Sequence, residues 1–250
     1  MVTVADTAFW IAAVRAAEGA RPDRLFDDPY AHLFAAGGAH AAEATARYFA
    51  LPFFEDGVRL RTRWIDDAVR DSVAAGLGQL VIVGAGFDAR ALRMKELEPV
   101  ATFEVDTAEQ LDRKRAMLEA GGVALPARVA YVACDFGAPD FDAALERALA
   151  AAGMRLRAGA MFVWEGVIGY IDDSMIDRSL SLMARVGGPR SRVAFTFGPF
   201  TFDAEPAPAR LGRLGFSAFD EHDGAELWRR YLPGEPHVAA PAMRVGLAKV

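Results

Sequence analysis

A single cysteine, Cys134, stands among 250 residues. No internal disulfide or thiolate cluster can form, so nothing points to an oxidising compartment or a structural zinc site, and the cytoplasm is the default expectation. Histidine is almost as scarce. His32, His40, His222 and His237 show none of the spacings by which imidazoles share a metal, so no metal is expected. There is no block of lysine or arginine, and 28 basic against 34 acidic residues leave a formal charge of −6. That balance argues against a nucleic-acid partner. Long apolar runs are missing too. The longest uncharged stretch, Ser72 to Phe87, is interrupted by glycines and falls short of the about 20 apolar residues a bilayer span needs, so no membrane partner is expected. Asp6 stands where a signal peptide would carry basic residues and Arg15 breaks the apolar stretch, so this segment is expected to be part of the mature fold.

What is present is a large apolar fraction, 53%, enough for the core of one sizeable domain with an elaboration. The first 75 residues read as helical. Phe9, Trp10, Ala13, Val14 and Ala17 recur at helical spacing between Asp6 and Glu18. A short helical stretch follows Asp28-Pro29-Tyr30. A third, from Val58 to Ala75, puts Leu60, Trp64, Ile65, Ala68 and Val69 on one face. After Gly76 the texture changes. Short apolar runs at Gln79–Val83, Val100–Val105, Arg128–Ala133, Ala158–Trp164 and Arg192–Phe197 alternate with helical segments at Asp88–Leu97, Ala108–Ala120, Phe141–Ala152 and Ser174–Val186. This alternation predicts a doubly wound α/β parallel sheet over residues 76–250, preceded by a helical cap over residues 1–75. The tail reads as a Pro199–Pro208 loop, helical stretches ending at Leu214 and around Ala225–Tyr231, and a final strand at Met243–Val250.

The first strand runs directly into Gly84-Ala85-Gly86-Phe87-Asp88-Ala89. Two glycines at a strand-to-helix turn permit a tight bend and a close backbone approach to a nucleotide-type cofactor. With Ala89 they also satisfy the dinucleotide pattern, so the turn alone does not separate a nicotinamide cofactor from others. The second strand ends in Asp106, at the distance expected of a ribose-binding acid and nearer the carboxyl edge than Glu104. Strands three and four end in Asp135-Phe136 and Glu165-Gly166. Three acids at neighbouring strand tips suit a ligand with hydroxyl and amino groups better than a pyrophosphate. S-adenosylmethionine has those features.

Taken together, Arg15-Ala16-Ala17-Glu18, Asp28-Pro29-Tyr30, Arg61-Thr62-Arg63-Trp64-Ile65-Asp66-Asp67, the run from Gln79 to Arg93, Phe103-Glu104-Val105-Asp106, Asp135-Phe136 and Glu165-Gly166-Val167-Ile168-Gly169-Tyr170 resemble the leucine carboxyl methyltransferase family. The resemblance spans roughly residues 9 to 186. It implies a Rossmann-like class I methyltransferase sheet under an N-terminal helical lid, with S-adenosyl-L-methionine as cofactor and S-adenosyl-L-homocysteine as its product. By the same resemblance Arg61, with Arg15 as a second contact, holds the cofactor's carboxylate, and Gly84, Ala85 and Gly86 line it. Asp106 takes the ribose, Asp135 with Phe136 lies by the adenine, and Glu165 faces the methionine end.

The expected reaction is O-methylation of a carboxylate on a small metabolite or peptide end, which needs no general base because the acceptor is already ionised. A hydroxyl acceptor would need one, and Tyr170 is the nearest candidate. Trp10, Tyr30, Tyr170 and Phe200 are candidate acceptor-site residues, and Tyr48, Phe49, Phe53 and Phe54 would complete an aromatic lid. A nicotinamide-dependent oxidoreductase and a catalytically silent cofactor-binding protein are the alternatives. The first would leave Arg61, Asp135 and Glu165 without roles.

Overall fold

A computed structural model describes residues 4–35 and 52–250. His40, Tyr48 and Phe49 therefore lie outside the described residues. Helix α1 (Val4–Glu18) and the short α2 (Ala31–Ala35) lead to the long α3 (Phe54–Ala74). Strand β1 (Gln79–Val83), α4 (Arg90–Arg93), β2 (Ala101–Asp106), α5 (Ala108–Ala120), β3 (Val129–Ala133), α6 (Phe141–Ala151), β4 (Met161–Trp164), α7 (Asp173–Gly187) and β5 (Arg192–Phe197) follow in alternation. The chain closes with α8 (Ala207–Arg213), β6 (Ala218–Asp223), α9 (Gly224–Tyr231) and β7 (Arg244–Lys249).

The strands form one seven-stranded sheet in the order β3-β2-β1-β4-β5-β7-β6. Strands β1 to β5 are parallel, and β7 runs antiparallel between β5 and β6. Because successive strand side chains point to opposite faces, each buried strand feeds two cores. Val81, Val83, Phe162, Trp164, Val193 and Phe195 pack with Phe141, Leu145, Leu180 and Met183 of α6 and α7. Leu80, Ile82, Met161, Val163 and Ala194 pack with Leu60, Trp64, Ile65 and Val69 of α3. The apolar face expected of the third helix is thus the face that meets the sheet. A smaller cluster joins Ala12 of α1 and Phe34 of α2 to Phe87, just past the glycine turn, with Phe34 stacked on Phe87 at 4.8 Å.

Two expectations need correction. The helix expected over Asp88–Leu97 is only the single turn α4, followed by a 3-10 turn at Lys95–Leu97. Met94 between them is extended (φ −92°, ψ 112°), which ends the α-helical hydrogen bonding. A strand not foreseen, β6, lies at the sheet edge. Its sequence, Ala218-Phe219-Asp220-Glu221-His222-Asp223, is charged because an edge strand presents much of its surface to water. No helix among the described residues is long and apolar enough to cross a membrane.

Candidate functional site

Gly84 and Gly86 both adopt left-handed backbone conformations, φ 67° and 45°, which only glycine takes without strain. A side chain at position 84 would put its Cβ 2.5 Å from Cγ2 of Val167. The β1 turn and the loop after β4 can therefore touch only because that side chain is absent. At Gly86 the nearest atoms to such a Cβ are 3.9 Å away, one of them Cβ of Ala8 on α1.

The tip of β2 is tied to this turn. Gly86 N donates to Oδ2 of Asp106 at 2.8 Å, and Thr107 N donates to Oδ1 at 2.7 Å. Ala85 N donates to the carbonyl of Val105 at 3.0 Å. Each Asp106 oxygen keeps acceptor capacity for a further donor. Burial pushes the Asp106 carboxyl above its ordinary range, against the two backbone N–H groups that favour the anion. Glu104, the alternative acid on this strand, is already paired: Lys114 of α5 donates to its Oε2 at 2.6 Å, and both side chains are buried. Lys114 also donates to the carbonyl of Asp88, fastening α5 beneath the turn.

Asp135 sits exposed at the next strand tip, where its Oδ1 accepts from Gly137 N at 2.9 Å. Cys134 N donates to the carbonyl of Asp106, so the two tips are neighbours. Phe136 lies half-buried, its ring 5.8 Å from Phe141.

Glu165, at the tip of β4, is the hub. Its Oε1 accepts from Arg15 Nη2 and Arg61 Nε, both at 2.9 Å. Its Oε2 accepts from Arg15 Nη2 at 3.0 Å and Arg90 Nη1 at 2.9 Å. Burial opposes its charge, yet Arg15, Arg90 and Arg61 outweigh that penalty and hold the carboxyl far below the usual range. Arg90 has no exposed surface and also bonds Asp66 (2.7 Å) and Asp88. Arg93 reaches both oxygens of Asp66 at 2.7 Å and lies 3.6 Å from Asp28. Arg15, Arg61, Arg90 and Arg93 thus face Glu165, Asp88, Asp66 and Asp28, a charge-balanced set in which each ion's desolvation is offset by partners.

Arg61 stands apart within this set. Among the described residues it bonds only through Nε, to Glu165, with no partner at either Nη group, and its side chain retains 18% exposure. Burial lowers its pKa, with the adjacent Arg15 acting in the same direction against Glu165. A guanidinium can engage a carboxylate bidentately through its Nη groups.

Of the residues expected from sequence, Arg15, Arg61 and Glu165 meet directly, and Gly84, Ala85, Gly86 and Asp106 form the adjoining turn. Val167 against Gly84 and Arg90 against Asp88 join the two groups. Helix α1 crosses this region, with Phe9 against Phe87 at 4.9 Å and Thr7 Oγ1 3.3 Å from the Tyr170 hydroxyl. Tyr170 is 53% exposed. Trp10 is a core residue of α1, and Tyr30 packs on the cluster around Phe87, so neither stands on an open wall. Phe200 is 80% exposed on its loop, whereas Phe202 packs against Phe197.

Sequence reasoning missed the second tier, Arg90, Asp66, Asp88 and Lys114. The first three lie inside the motifs that carry the family resemblance. Asp66, four positions after Thr62 on α3, shares the helix face that presents Thr62 to Arg15.

This strand order, with its antiparallel seventh strand, the glycine turn after β1 and the acid at the tip of β2, defines an S-adenosylmethionine-dependent class I methyltransferase. The chain belongs to the leucine carboxyl methyltransferase family, whose pattern it matches over residues 8–184. It is 37% identical over 195 residues to the Frankia alni protein named "Putative S-adenosyl-L-methionine-dependent methyltransferase FRAAL3836", covering 76% of this chain and 68% of that one. A Streptomyces avermitilis protein of the same description, SAV474, is 30% identical over 245 residues, 92% of this chain and 78% of the relative. Among solved structures, a DUF574-family protein from Streptomyces avermitilis superimposes with a TM-score of 0.54 at 16% identity, covering 97% and 96% of the two chains. A Thermobifida fusca structure titled "putative methyltransferase" gives 0.54 at 15%, covering 96% and 94%. These superpositions show the shared fold. Membership of a methyltransferase family removes the nicotinamide-dependent and non-catalytic alternatives.

Proposed function

We propose that this methyltransferase esterifies a carboxylate, on a small metabolite or a peptide end. The observation that carries the reading is that Glu165, the acid at the centre of the site, is held as an anion by Arg15, Arg61 and Arg90 and so offers no general base for a hydroxyl acceptor. When bound, S-adenosylmethionine supplies a sulfonium methyl, whose C–S bond breaks as a C–O bond forms, leaving a neutral thioether. Arg61, backed by Arg15, would hold the cofactor's carboxylate, Asp106 its ribose hydroxyls, and Asp135 with Phe136 its adenine. Glu165 would face the ammonium group. The glycine turn lets backbone approach where side chains would collide.

The chemistry of the remaining groups favours an acceptor that arrives already ionised. Glu165 is locked as an anion by three arginines and makes a poor base. The Tyr170 hydroxyl contacts Thr7, His222 pairs with Glu226, and His237 stacks on Phe53. A carboxylate needs no proton removed, so holding it in line with the methyl group in a site closed to water does most of the catalytic work. Helix α1, lying over the glycine turn and bonded through Arg15 to Glu165, would act as the lid.

A methyl-labelled cofactor incubated with mixed carboxylic acids, followed by mild base, tests this. Volatile methanol released from the product is expected. A base-stable product would exclude an ester.

A further inference from the structure

The opposite edge of the sheet carries a feature invisible in the linear sequence. Arg155 and Arg157 lie in the loop before β4, and Arg190 and Arg192 at the start of β5. Because β4 and β5 are parallel neighbours, the two segments land side by side at the amino edge. They are zipped together: Arg157 N donates to the Val186 carbonyl (2.7 Å), Gly159 N to Gly187 (3.0 Å) and Arg192 N to Ala160 (3.0 Å). Gly188 allows the approach, since a Cβ there would lie 2.6 Å from Cα of Arg157. Arg157 and Arg190 both hold left-handed backbone angles, φ 60° and 69°, a strained conformation for a residue with a side chain.

Most arginines elsewhere in the described chain lie within 4.0 Å of a carboxylate, but these four have no ion pair among the described residues. Arg190 donates one Nη to the Ala75 carbonyl (2.8 Å) and Arg192 one Nη to Ser72 Oγ (3.4 Å). Those bonds fix the guanidinium groups, and their other donors have no partner among the described residues. Arg190, Arg192 and Lys249 line a cleft of about 330 Å³ whose apolar walls are Ala75 and Leu77 on one side and Ala218 of β6 and Val250, just past β7, on the other. The one side-chain carboxylate bonded to a lining cation is Asp220, on Lys249 at 2.9 Å. Strand β5 starts here and ends at the edge of the Glu165 site, about 20 Å away by strand rise.

We propose that this cleft is an anion site that takes a small, multiply charged phosphate compound. Fixed arginine forks match phosphate oxygens bidentately, Lys249 adds a third cation, and the volume falls in the range of small-molecule sites. Arg190 and Arg192, both lining the cleft without a counter-ion among the described residues, repel each other, and a bound polyanion would offset that cost.

Pyrophosphate, measured by titration calorimetry at about 0.15 M salt, is the probe, with sodium chloride at matched ionic strength as the blank. One-to-one binding with a dissociation constant below about 1 mM is expected. Arg190→Gln with Arg192→Gln should weaken it at least tenfold, and Arg147→Gln, on the exposed surface, should leave it unchanged. Retained affinity of the double variant for S-adenosylhomocysteine shows that it is folded; should it fail to fold, the single variants Arg190→Gln and Lys249→Gln provide the same comparison. ATP in a parallel arm reports whether the cleft takes a nucleotide's phosphates as well as the free anion. No saturable pyrophosphate binding, binding equal in wild type and variants, or binding confined to a long polyanion such as heparin would each overturn the proposal.

Discussion

The bond between Arg90 and Glu165 offers the sharpest test of the charge network. Arg90 is wholly buried, and its Nη1 lies 2.9 Å from Glu165 Oε2. Unit charges about 4 Å apart attract by roughly 4 kcal/mol at an effective dielectric of 20, and stripping one partner from a buried pair costs about 3–5 kcal/mol. Glu165→Gln leaves Arg15, Arg61 and Arg90 facing one another, and Arg90→Gln leaves Asp66 and Asp88 short of a cation. Each single variant should therefore lose about 3–5 kcal/mol. The double variant restores equal numbers of cations and anions, so its loss should fall below the sum of the two by about 1–3 kcal/mol. Urea unfolding followed by tryptophan fluorescence, with m-values checked for constancy, measures all four corners of the cycle. Additivity within about 0.5 kcal/mol would refute the claim that these charges act as a set.

Arg61→Gln and Asp106→Asn should each weaken S-adenosylhomocysteine binding by about 1.5–3 kcal/mol, the worth of a charged hydrogen bond, as read by calorimetry; unchanged affinity in both would remove the site assignment. Glu165, Asp66 and Asp88 are held below their ordinary values by Arg15, Arg90, Arg61 and Arg93, so in mild acid the unfolded chain binds more protons than the native one. Their stabilisation is complete above the unfolded values near 4 and drains away as pH falls toward the depressed native ones, partly countered by Asp28, Glu104 and Asp106, which burial shifts upward. Urea midpoints between pH 7 and pH 3 should fall more steeply for the wild type than for Glu165→Gln, and parallel curves would contradict this. Burial, then Asp135 and Asp106, push the Cys134 thiol up to about 11, so iodoacetamide at pH 8 should leave it unmodified in the native protein and alkylate it in urea.

Much of this fold could be read from apolar runs, because a strand covered on both faces must be continuously apolar: Gln79–Val83 and Arg192–Phe197 were recognisable for that reason. β6 was not, since its edge position allows Asp220, Glu221 and His222 where a central strand would need apolar side chains. The strand-tip acids were legible one by one. Their division of labour was not, because nothing in the spacing of Glu104 and Asp106 reveals that Lys114 neutralises the first and backbone N–H groups cradle the second. Likewise α3 carries both Arg61 and Asp66. Only the folded chain shows one reaching Glu165 and the other Arg90.

Arg15 and Glu165 bond across 150 positions of sequence. During synthesis the first helix emerges long before β4 exists, so its arginine stays hydrated until most of the sheet has left the ribosome. Closing so large a loop yields few contacts early, which places completion of this centre late in folding. Substitutions at either end of that bond should accordingly hasten unfolding and leave the refolding rate nearly untouched, so that the helix laid down first is the last to find its place.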